Sequence, residues 1–167
     1  IINHPLAIEK CIDKFYSLFL LEKHRLPVPK TAVAENAEDA LMAFYELGGD
    51  VVVKPIFGSR GIGITRVSDP DTAIRIFRSL QFYHSVIYLQ EFIHHGFSDI
   101  RAFVVGDRVI AAMRRVADNW KTNYSQGASP QSVTLDNSVE EMAVKSAKLI
   151  ECKVAGIDLS LIHISEP

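Results

Sequence analysis

The sequence predicts an α+β protein of two small lobes with mostly antiparallel strands. Helical and strand patterns follow one another irregularly along the 167 residues, which is untypical of a doubly wound parallel sheet. Residues 99–105 and 108–115 flank the two-residue turn Gly106-Asp107, a pattern that predicts an antiparallel hairpin. The valine run at 51–53 ends at Lys54 and leads into a glycine-rich loop, as expected for a buried strand followed by a tight turn.

The composition is that of an ordinary globular domain, with 48% hydrophobic residues, 23% charged residues and a net charge of −2. This charge gives no reason to expect nucleic acid as a direct partner, and no apolar run is long enough to span a membrane. No secretory signal is visible, so a cytoplasmic location is expected. Cys11 and Cys152 belong to no zinc-like cluster, and both thiols are expected to be reduced and mostly buried.

The N-terminal part is predicted to hold two short helices. Asn3-His4-Pro5 is a helix-start signal, and the helix is expected to run through Cys11. Asp13-Lys14 opens a second helix. Pro27 and Pro29 then predict an extended, rigid connector.

Three further helices are predicted from capping side chains followed by apolar positions at helical spacing. They cover 37–47, 71–80 and 139–150, with caps at Asn36, Asp69 and Ser138. The first is expected to bury Phe44 and Tyr45. Further strands are predicted over 30–34, 51–54, 64–67, 86–92 and 154–159. Residues 117–130 lack periodicity, and a polar loop of this length is usually functional.

Lys54 and the loop after it have the chemistry of a polyphosphate site. Gly58, Gly61 and Gly63 allow backbone N–H groups to approach a ligand without interference from a Cβ atom. The loop is not a P-loop, because no Lys-Ser/Thr follows the last glycine, and its glycine order differs from the dinucleotide fingerprint. Taken alone, the stretch is equally compatible with a strand, a surface lysine and a hairpin turn.

Several motifs in a fixed order resemble one family. They are Asp13-Lys14, Val-Val-Lys-Pro with Gly-Ser-Arg-Gly-Ile-Gly, Leu-Gln-Glu-Phe-Ile, Asp-Ile-Arg-Ala-Phe-Val-Val-Gly-Asp and Ala-Gly-Ile-Asp-Leu. Over residues 3–159 they resemble the ATP-grasp ligases, and within them the RimK-type α-L-glutamate ligases. The resemblance implies the ATP-grasp fold, with the nucleotide between two sheets. It also implies an enzyme that uses ATP and Mg²⁺ (or Mn²⁺) to join a carboxylate, such as that of glutamate, to an amine through an acyl phosphate.

The resemblance also implies which residues bind ATP. Lys54 and Lys14 would contact phosphates, and the loop with Gly61 and Gly63 would close over them as a flap. The adenine hinge would be formed by Gln90, Glu91, Phe92 and Ile93. Without the resemblance, Lys14 is best explained as a solvated helix residue, and Phe92 and Ile93 as ordinary core.

A second charged group is predicted on the hairpin. Asp99 and Arg101 alternate along one strand and therefore share a face, and Arg114 on the partner strand is expected to project there too. By resemblance, Asp99 would bind the nucleotide. The two arginines would stabilise charge on the transferring phosphoryl group; surface ion pairs are the alternative. Lys121-Thr122-Asn123 partly resembles an Arg-Ser-Asn segment that contacts nucleotide, without the arginine fork.

Asp158 resembles the first magnesium-ligating carboxylate of the family. The family's next ligands, in an E-x-N pattern, do not follow it, and Glu166 is not part of such a pattern. Residues 160–167 are therefore expected to be foreign sequence, and the family's preceding N-terminal domain is expected to be absent. The predicted division is a lobe over 1–93 with the phosphate loop and hinge, a partial lobe over 94–159, and the tail.

Two functions stay open on these grounds. One is a ligase that adds glutamate to a protein-tail or coenzyme acceptor, with a dipeptide or lysine-biosynthesis ligase as a variant. The other is a fragment that binds ATP without turnover. The sequence is compatible with a homo-oligomer and does not select the acceptor.

Overall fold

A computed structural model describes residues 2–58 and 61–160 in two compact units. The central unit is Val28–Phe92, and the flanking unit combines the described residues before and after it. This division differs from the predicted one, because residues 2–27 join the later part of the chain. The difference arises from contacts between distant parts of the sequence: Asn3 Nδ2, for example, donates a hydrogen bond to the carbonyl of Val154.

The central unit is an antiparallel sheet covered by two helices. Its elements are β1 (Thr31–Ala34), α3 (Ala37–Glu46), β2 (Val51–Lys54), β3 (Thr65–Val67), α4 (Pro70–Phe82) and β4 (Ile87–Glu91), with strand order β1-β4-β2-β3. The caps predicted for the helices are confirmed. The Asn36 side chain accepts from the N–H of Asp39, and that of Asp69 from the N–H of Thr72.

The core of the central unit lies on one face of its sheet. Val51 and Val53 point into it together with Leu89, and α3 and α4 contribute Phe44 and Phe77. Because side chains alternate along a strand, Val52, Lys54 and Gln90 are left on the opposite face. The expected burial of Tyr45 is wrong: its side chain is 60% exposed, and its ring meets Phe44 edge-on from outside the core.

The flanking unit is a second antiparallel sheet with helices. Its elements are α1 (Pro5–Ile12), α2 (Lys14–Lys23), β5 (Ser98–Val105), β6 (Arg108–Val116), a short 3-10 helix (Tyr124–Gln126), β7 (Ser129–Ser132), α5 (Asn137–Ile150) and β8 (Val154–Leu159). The strand order is β7-β6-β5-β8, and α5 packs on the face that carries Ile100, Ala102 and Val104. Among the described residues, no helix is long and apolar enough to cross a membrane.

Two predictions fail in this unit. Residues 117–130, predicted as a loop, contain the 3-10 helix and enter β7, whose four residues are all exposed and so lack apolar alternation. The cap of α5 is Asp136 rather than Ser138, and its side chain makes no capping hydrogen bond.

The β5–β6 hairpin contains a one-residue irregularity. Val104 pairs with Val109, whereas Phe103 pairs with Ala111, so Ile110 is an extra residue in β6. Such a bulge shifts every pair beyond it by one position. Asp99 is therefore opposite Arg115, whereas a regular hairpin on the same turn would place it opposite Arg114.

Helices α1 and α2 are joined without a linker. Asp13 ends α1, and its side chain accepts a hydrogen bond from the N–H of Tyr16, which caps α2. The inner side of α1 packs through Ala7 on Ile150 and Cys152. Cys152 is buried as expected, but the expected burial of Cys11 is wrong, because its side chain is exposed.

Candidate active-site residues

The first group of candidate residues lies on the face of the central sheet opposite its core. Lys54 Nζ donates a hydrogen bond to Gln90 Oε1 at 2.5 Å, and Gln90 Nε2 donates to Thr31 Oγ1 at 2.9 Å. We call Thr31, Lys54 and Gln90 the lysine face. Gln90 is only 7% exposed, so its amide orients Lys54 at the end of β2. Sequence reasoning placed Gln90 at the hinge and did not find this contact.

The segment predicted as the adenine hinge follows β4. Phe92 donates its N–H to the carbonyl of Asp50, and its ring is covered on one side by the Arg66 guanidinium, 3.5 Å from the ring centroid. Arg66 is held there by a two-point ion pair with Asp50. Glu91 Oε1 accepts from the N–H of Lys30 at 2.7 Å. The backbone at this end of β4 is thus fixed from both neighbouring strands.

The glycine loop after β2 needs its glycines at the described positions. Gly61 and Gly63 have φ of +72° and +74°, a region that side chains with a Cβ rarely adopt. A Cβ on Gly63 would also lie 2.9 Å from Cγ of Pro55. Positions 59 and 60 of the loop lie outside the described residues.

The second group of candidate residues lies on one face of the flanking sheet. Arg115 binds Asp99 through Nε at 2.7 Å and Nη2 at 2.5 Å, and its Nη2 is 3.0 Å from Asp158 Oδ1. Arg101 Nη1 donates to Asp158 Oδ1 at 2.8 Å and to Oδ2 at 3.1 Å. We call Asp99, Arg101, Arg115 and Asp158 the arginine network. It balances two cations against two carboxylates, and it confirms that Asp99 and Arg101 share a face.

The electrostatics of this network depend on Arg115, which is 5% exposed. Burial disfavours its charge, but the hydrogen bonds and charges of Asp99 and Asp158 outweigh that effect and raise its pKa. Removing one partner of such a pair costs about 3–5 kcal/mol, because a buried charge is left uncompensated. Asp99 is therefore held to Arg115 through both carboxylate oxygens.

Arg114 does not join this face. It is opposite Ile100, whose side chain is in the core beneath the sheet, and this is the consequence of the bulge at Ile110. Among the described residues its Nε has no hydrogen-bond partner. The expectation that Arg114 projects beside Asp99 and Arg101 is wrong; Arg115 takes that position. Sequence alternation could not find it, because a bulge reverses which of two adjacent residues faces the site.

The segment over residues 121–123 contributes one contact to the arginine network. Thr122 is buried, and its Oγ1 donates to Asp99 Oδ2 at 2.7 Å. The ammonium group of Lys121 lies 5.3 Å from the centroid of the Trp120 ring. Asn123 precedes the 3-10 helix, and its carbonyl accepts from the N–H of Ala128. Asp99 is thus held by Arg115 and Thr122 together.

Lys14 is the first residue of α2, in the flanking unit. Loss of water around its ammonium group lowers its pKa, although the charge of Asp13 acts in the opposite direction. A cation at a helix N-terminus is also disfavoured by the helix dipole. An anion bound at this position would relieve both penalties.

The described residues fit a magnesium ion whose coordinating atoms belong mainly to a bound molecule and water, with few from the protein. They contain no cluster of three His, Cys, Asp or Glu side chains that could enclose a metal. Asp158 Oδ2 is the less engaged oxygen of a side chain that is 51% exposed. Exclusion of water nevertheless raises the pKa of Asp158, although Arg115 and Arg101 act against this. Mg²⁺ commonly takes one or two carboxylates and completes its shell with phosphate oxygens and water.

Comparison with known proteins places the chain in one superfamily and then in one family. The chain has the ATP-grasp fold: the PsnB ATP-grasp ligase, solved with a phosphomimetic variant of its minimal precursor, Mg and ADP, matches 94% of this chain and 48% of its own, with a TM-score of 0.74 and 26% identity. D-alanine–D-alanine ligase from Bacillus anthracis, solved with ATP, has the same fold over 93% of this chain and 52% of its own, with a TM-score of 0.75 and 20% identity. A sequence model of the RimK-like ATP-grasp domain matches residues 11–165, so the chain belongs to that family. The match extends into the segment 160–167 that was predicted to be foreign.

Two curated relatives illustrate the family. The tetrahydromethanopterin:alpha-L-glutamate ligase of Methanococcus maripaludis is 39% identical over 164 residues, which are 95% of this chain and 56% of the relative. The alpha-aminoadipate–LysW ligase LysX of Sulfurisphaera tokodaii is also 39% identical over 164 residues, with 95% and 57% coverage. The chain thus spans little more than half the length of these relatives.

Proposed function

We propose that this chain binds Mg·ATP and belongs to an ATP-dependent carboxylate–amine ligase that activates glutamate or a similar amino acid. The observation that carries the proposal is the arginine network. On β5, Asp99 and Arg101 are two positions apart and share a face, and Asp158 on β8 lies opposite Arg101. Arg115 links the carboxylates of Asp99 and Asp158. The apolar core lies on the other face of the sheet, and a buried ion pair is rarely a net source of stability compared with apolar packing.

The roles of the cations follow from their chemistry. The carboxylate of the amino acid attacks the γ-phosphorus, the bond to ADP breaks, and negative charge spreads over the phosphoryl oxygens. Arg101 is the cation with the more accessible guanidinium and stabilises that charge. Arg115 holds Asp158 and Asp99 in place and acts as a positioning residue. In the second step, the amine of the acceptor attacks the acyl carbonyl and phosphate leaves.

Lys54 and Lys14 are proposed to contact the phosphates of ATP. The buried amide of Gln90 orients the ammonium group of Lys54. Lys14 lies at a helix N-terminus, where a bound anion would be stabilised. The loop with Gly61 and Gly63 would limit access of water to the acyl phosphate. Gln90, Glu91, Phe92 and Ile93 are proposed as the adenine hinge, Asp99 and residues 121–123 as further nucleotide-binding positions. A magnesium ion bound to ATP would contact Asp158 and neutralise phosphate charge.

The proposed substrates come from the names of the relatives. They include an α-L-glutamate ligase with a coenzyme acceptor and a ligase that joins α-aminoadipate to LysW. Both names specify an amino acid with an acidic side chain. Glutamate or a close analogue is therefore the first substrate to test.

A second candidate function is ATP binding without turnover by the 167-residue chain. It is favoured by the state of Asp158, which binds Arg101 and Arg115 and is the one carboxylate that we assign to the metal. Stabilisation by ATP and release of phosphate are measured separately, so the two functions can be distinguished.

The test is thermal unfolding with and without Mg·ATP, together with phosphate release in the presence of glutamate and hydroxylamine, an amine that displaces phosphate from an acyl phosphate. We expect Mg·ATP to raise the Tm, and Lys54→Ala to weaken this effect at least about tenfold in apparent affinity, because a phosphate-binding cation is lost. The Tm without ligand should fall by only about 2–4 °C, the cost of one unsatisfied amide.

The matched control is Lys148→Ala, which removes an exposed lysine from the last turn of α5. This variant should respond to Mg·ATP as the parent chain does. Stabilisation without phosphate release would support the binding function alone. An unchanged response in Lys54→Ala, or no response in the parent chain, would contradict the proposal.

A further inference from the structure

The two cysteines of the chain lie in contact, although they are 141 positions apart in the sequence. Cys11 is in the last turn of α1, and Cys152 is in the turn between α5 and β8. Their Sγ atoms are 3.4 Å apart, and both are free thiols. A disulfide requires about 2.05 Å, so the two sulfurs have to approach each other by little more than about 1 Å to form a bond.

Contacts around the two thiols hold α1 against this turn. The Asn3 side chain accepts hydrogen bonds from the N–H groups of Lys153 and Val154 at 2.9 and 3.0 Å, and donates one to the carbonyl of Val154 at 2.8 Å. Lys10 Nζ forms an ion pair with Glu151 Oε2 at 2.7 Å. The thiols are thus fixed by contacts on both sides and keep a high effective concentration.

The two thiols differ in their surroundings. Cys11 is exposed, so a dissolved oxidant can reach it. Cys152 is 5% exposed and packs with Ala7 and Ile150. Burial and the hydrogen bond with Cys11 raise the pKa of Cys152 to about 11, which protects it from direct oxidation. An accessible thiol beside a protected one is the arrangement of a reacting and a resolving cysteine.

We propose that Cys11 and Cys152 form a redox modification site, in which a peroxide converts the two thiols into one intramolecular disulfide. The Cys11 thiolate attacks one peroxide oxygen and the O–O bond breaks, which gives a sulfenic acid at Cys11 and a hydroxide ion. The hydroxide ion takes up a proton to give water. Cys152 sulfur then attacks Cys11 sulfur, the S–O bond breaks, and the oxygen leaves as water with the Cys152 proton. Two thiols are oxidised while one peroxide is reduced to two waters. A small thiol reverses the reaction by exchange.

The disulfide would tie α1 to the beginning of β8. It closes a loop that spans most of the chain, and a crosslink of this length restricts the unfolded state strongly. We expect the Tm of the oxidised chain to lie about 5–10 °C above that of the reduced chain. The reaction needs neither ATP nor Mg²⁺, so it can be tested separately from the proposed ligase chemistry.

The test treats the folded chain with hydrogen peroxide and counts thiols by alkylation and mass spectrometry after denaturation. We expect two alkylated thiols before treatment, none after it, and two again after dithiothreitol, in a chain that stays monomeric on a non-reducing gel. Cys11→Ser changes an exposed residue and should retain its Cys152 thiol after the same treatment, without the rise in Tm.

Three outcomes would overturn the proposal. In the first, the parent chain keeps both thiols. In the second, it forms dimers linked between chains. In the third, Cys11 reaches sulfinic acid while Cys152 stays reduced. The test uses Cys11→Ser, which alters only the exposed thiol. Its result therefore does not depend on whether a Cys152→Ser variant folds.

Discussion

Arg101 lies against β8 because residue 156 has no side chain. A Cβ atom built on Gly156 would be 2.6 Å from one terminal nitrogen of Arg101 and 2.8 Å from its Nε. The close approach lets Arg101 reach Asp158 two positions further along the strand. The missing side chain at Gly156 thus makes room for the guanidinium of Arg101.

Gly156→Ala should displace Arg101 without unfolding the chain. Arg101 is a long side chain with a partly exposed end, so it can move aside, and losing its surface ion pair costs about 0–1 kcal/mol. We expect phosphate release to fall at least about tenfold, because the cation that stabilises the transferring phosphoryl group is misplaced. Steady-state kinetics and thermal unfolding of the same samples measure the two effects.

A double-mutant cycle with Arg101→Ala tests whether Gly156 acts through the arginine. If it does, Gly156→Ala should add almost nothing in the Arg101→Ala background. Full additivity of the two losses would show that Gly156 matters for another reason.

At the scale of elements, the loop after β2 requires glycine for two reasons, which are the backbone conformation and the lack of space for a side chain. Gly63 has φ of +74° and faces Pro55 at a distance that no Cβ atom would tolerate. Gly106, in the hairpin turn, has φ of +66° but open space around it. A comparison of alanine substitutions at these two glycines therefore separates the effect of backbone strain from that of steric crowding.

Gly63→Ala should weaken Mg·ATP binding more than it lowers stability. Both Gly63→Ala and Gly106→Ala should cost about 1 kcal/mol through the left-handed backbone conformation. Only Gly63→Ala should also reduce the ATP-dependent rise in Tm, because Pro55 and the loop must move apart. Equal ATP responses of the two variants would count against a role for the loop in phosphate binding.

Elements with local signals could be predicted from the sequence. Asn36 and Asp69 begin helices because their side chains satisfy N–H groups within the same turn. Strand β7 could not be predicted, because every one of its residues is exposed and pairing with β6 alone defines it. Arg115 was missed for a related reason, since the bulge that presents it arises from pairing across the hairpin.

At the scale of the whole molecule, each unit has a separate apolar core. The central core contains Phe77, and the flanking core lies between α5 and its sheet. A defect in one core should therefore not spread fully to the other. The contact between Cys11 and Cys152 also belongs to this scale, because no local motif relates residues so distant in sequence.

Phe77→Ala should loosen the central unit selectively. Removing a fully buried phenylalanine costs about 3–5 kcal/mol. We expect amide hydrogen exchange to accelerate in β2 and β4, with β5 and β6 less affected. Phe82→Ala, on the same helix but 78% exposed, is the matched control and should change exchange little. Equal acceleration in both sheets would indicate one cooperative unit.

The extra residue at Ile110 has a consequence for how related sequences are compared. It lies between the hairpin turn and the charged face, so the bulge at this point decides which arginine is opposite Asp99. A related chain of the same length with a regular hairpin would place the residue aligned with Arg114 opposite Asp99, whereas a chain without residue 110 and without the bulge would keep the residue aligned with Arg115 there. Aligned columns in this hairpin therefore do not by themselves identify equivalent side chains; the presence of the bulge has to be included.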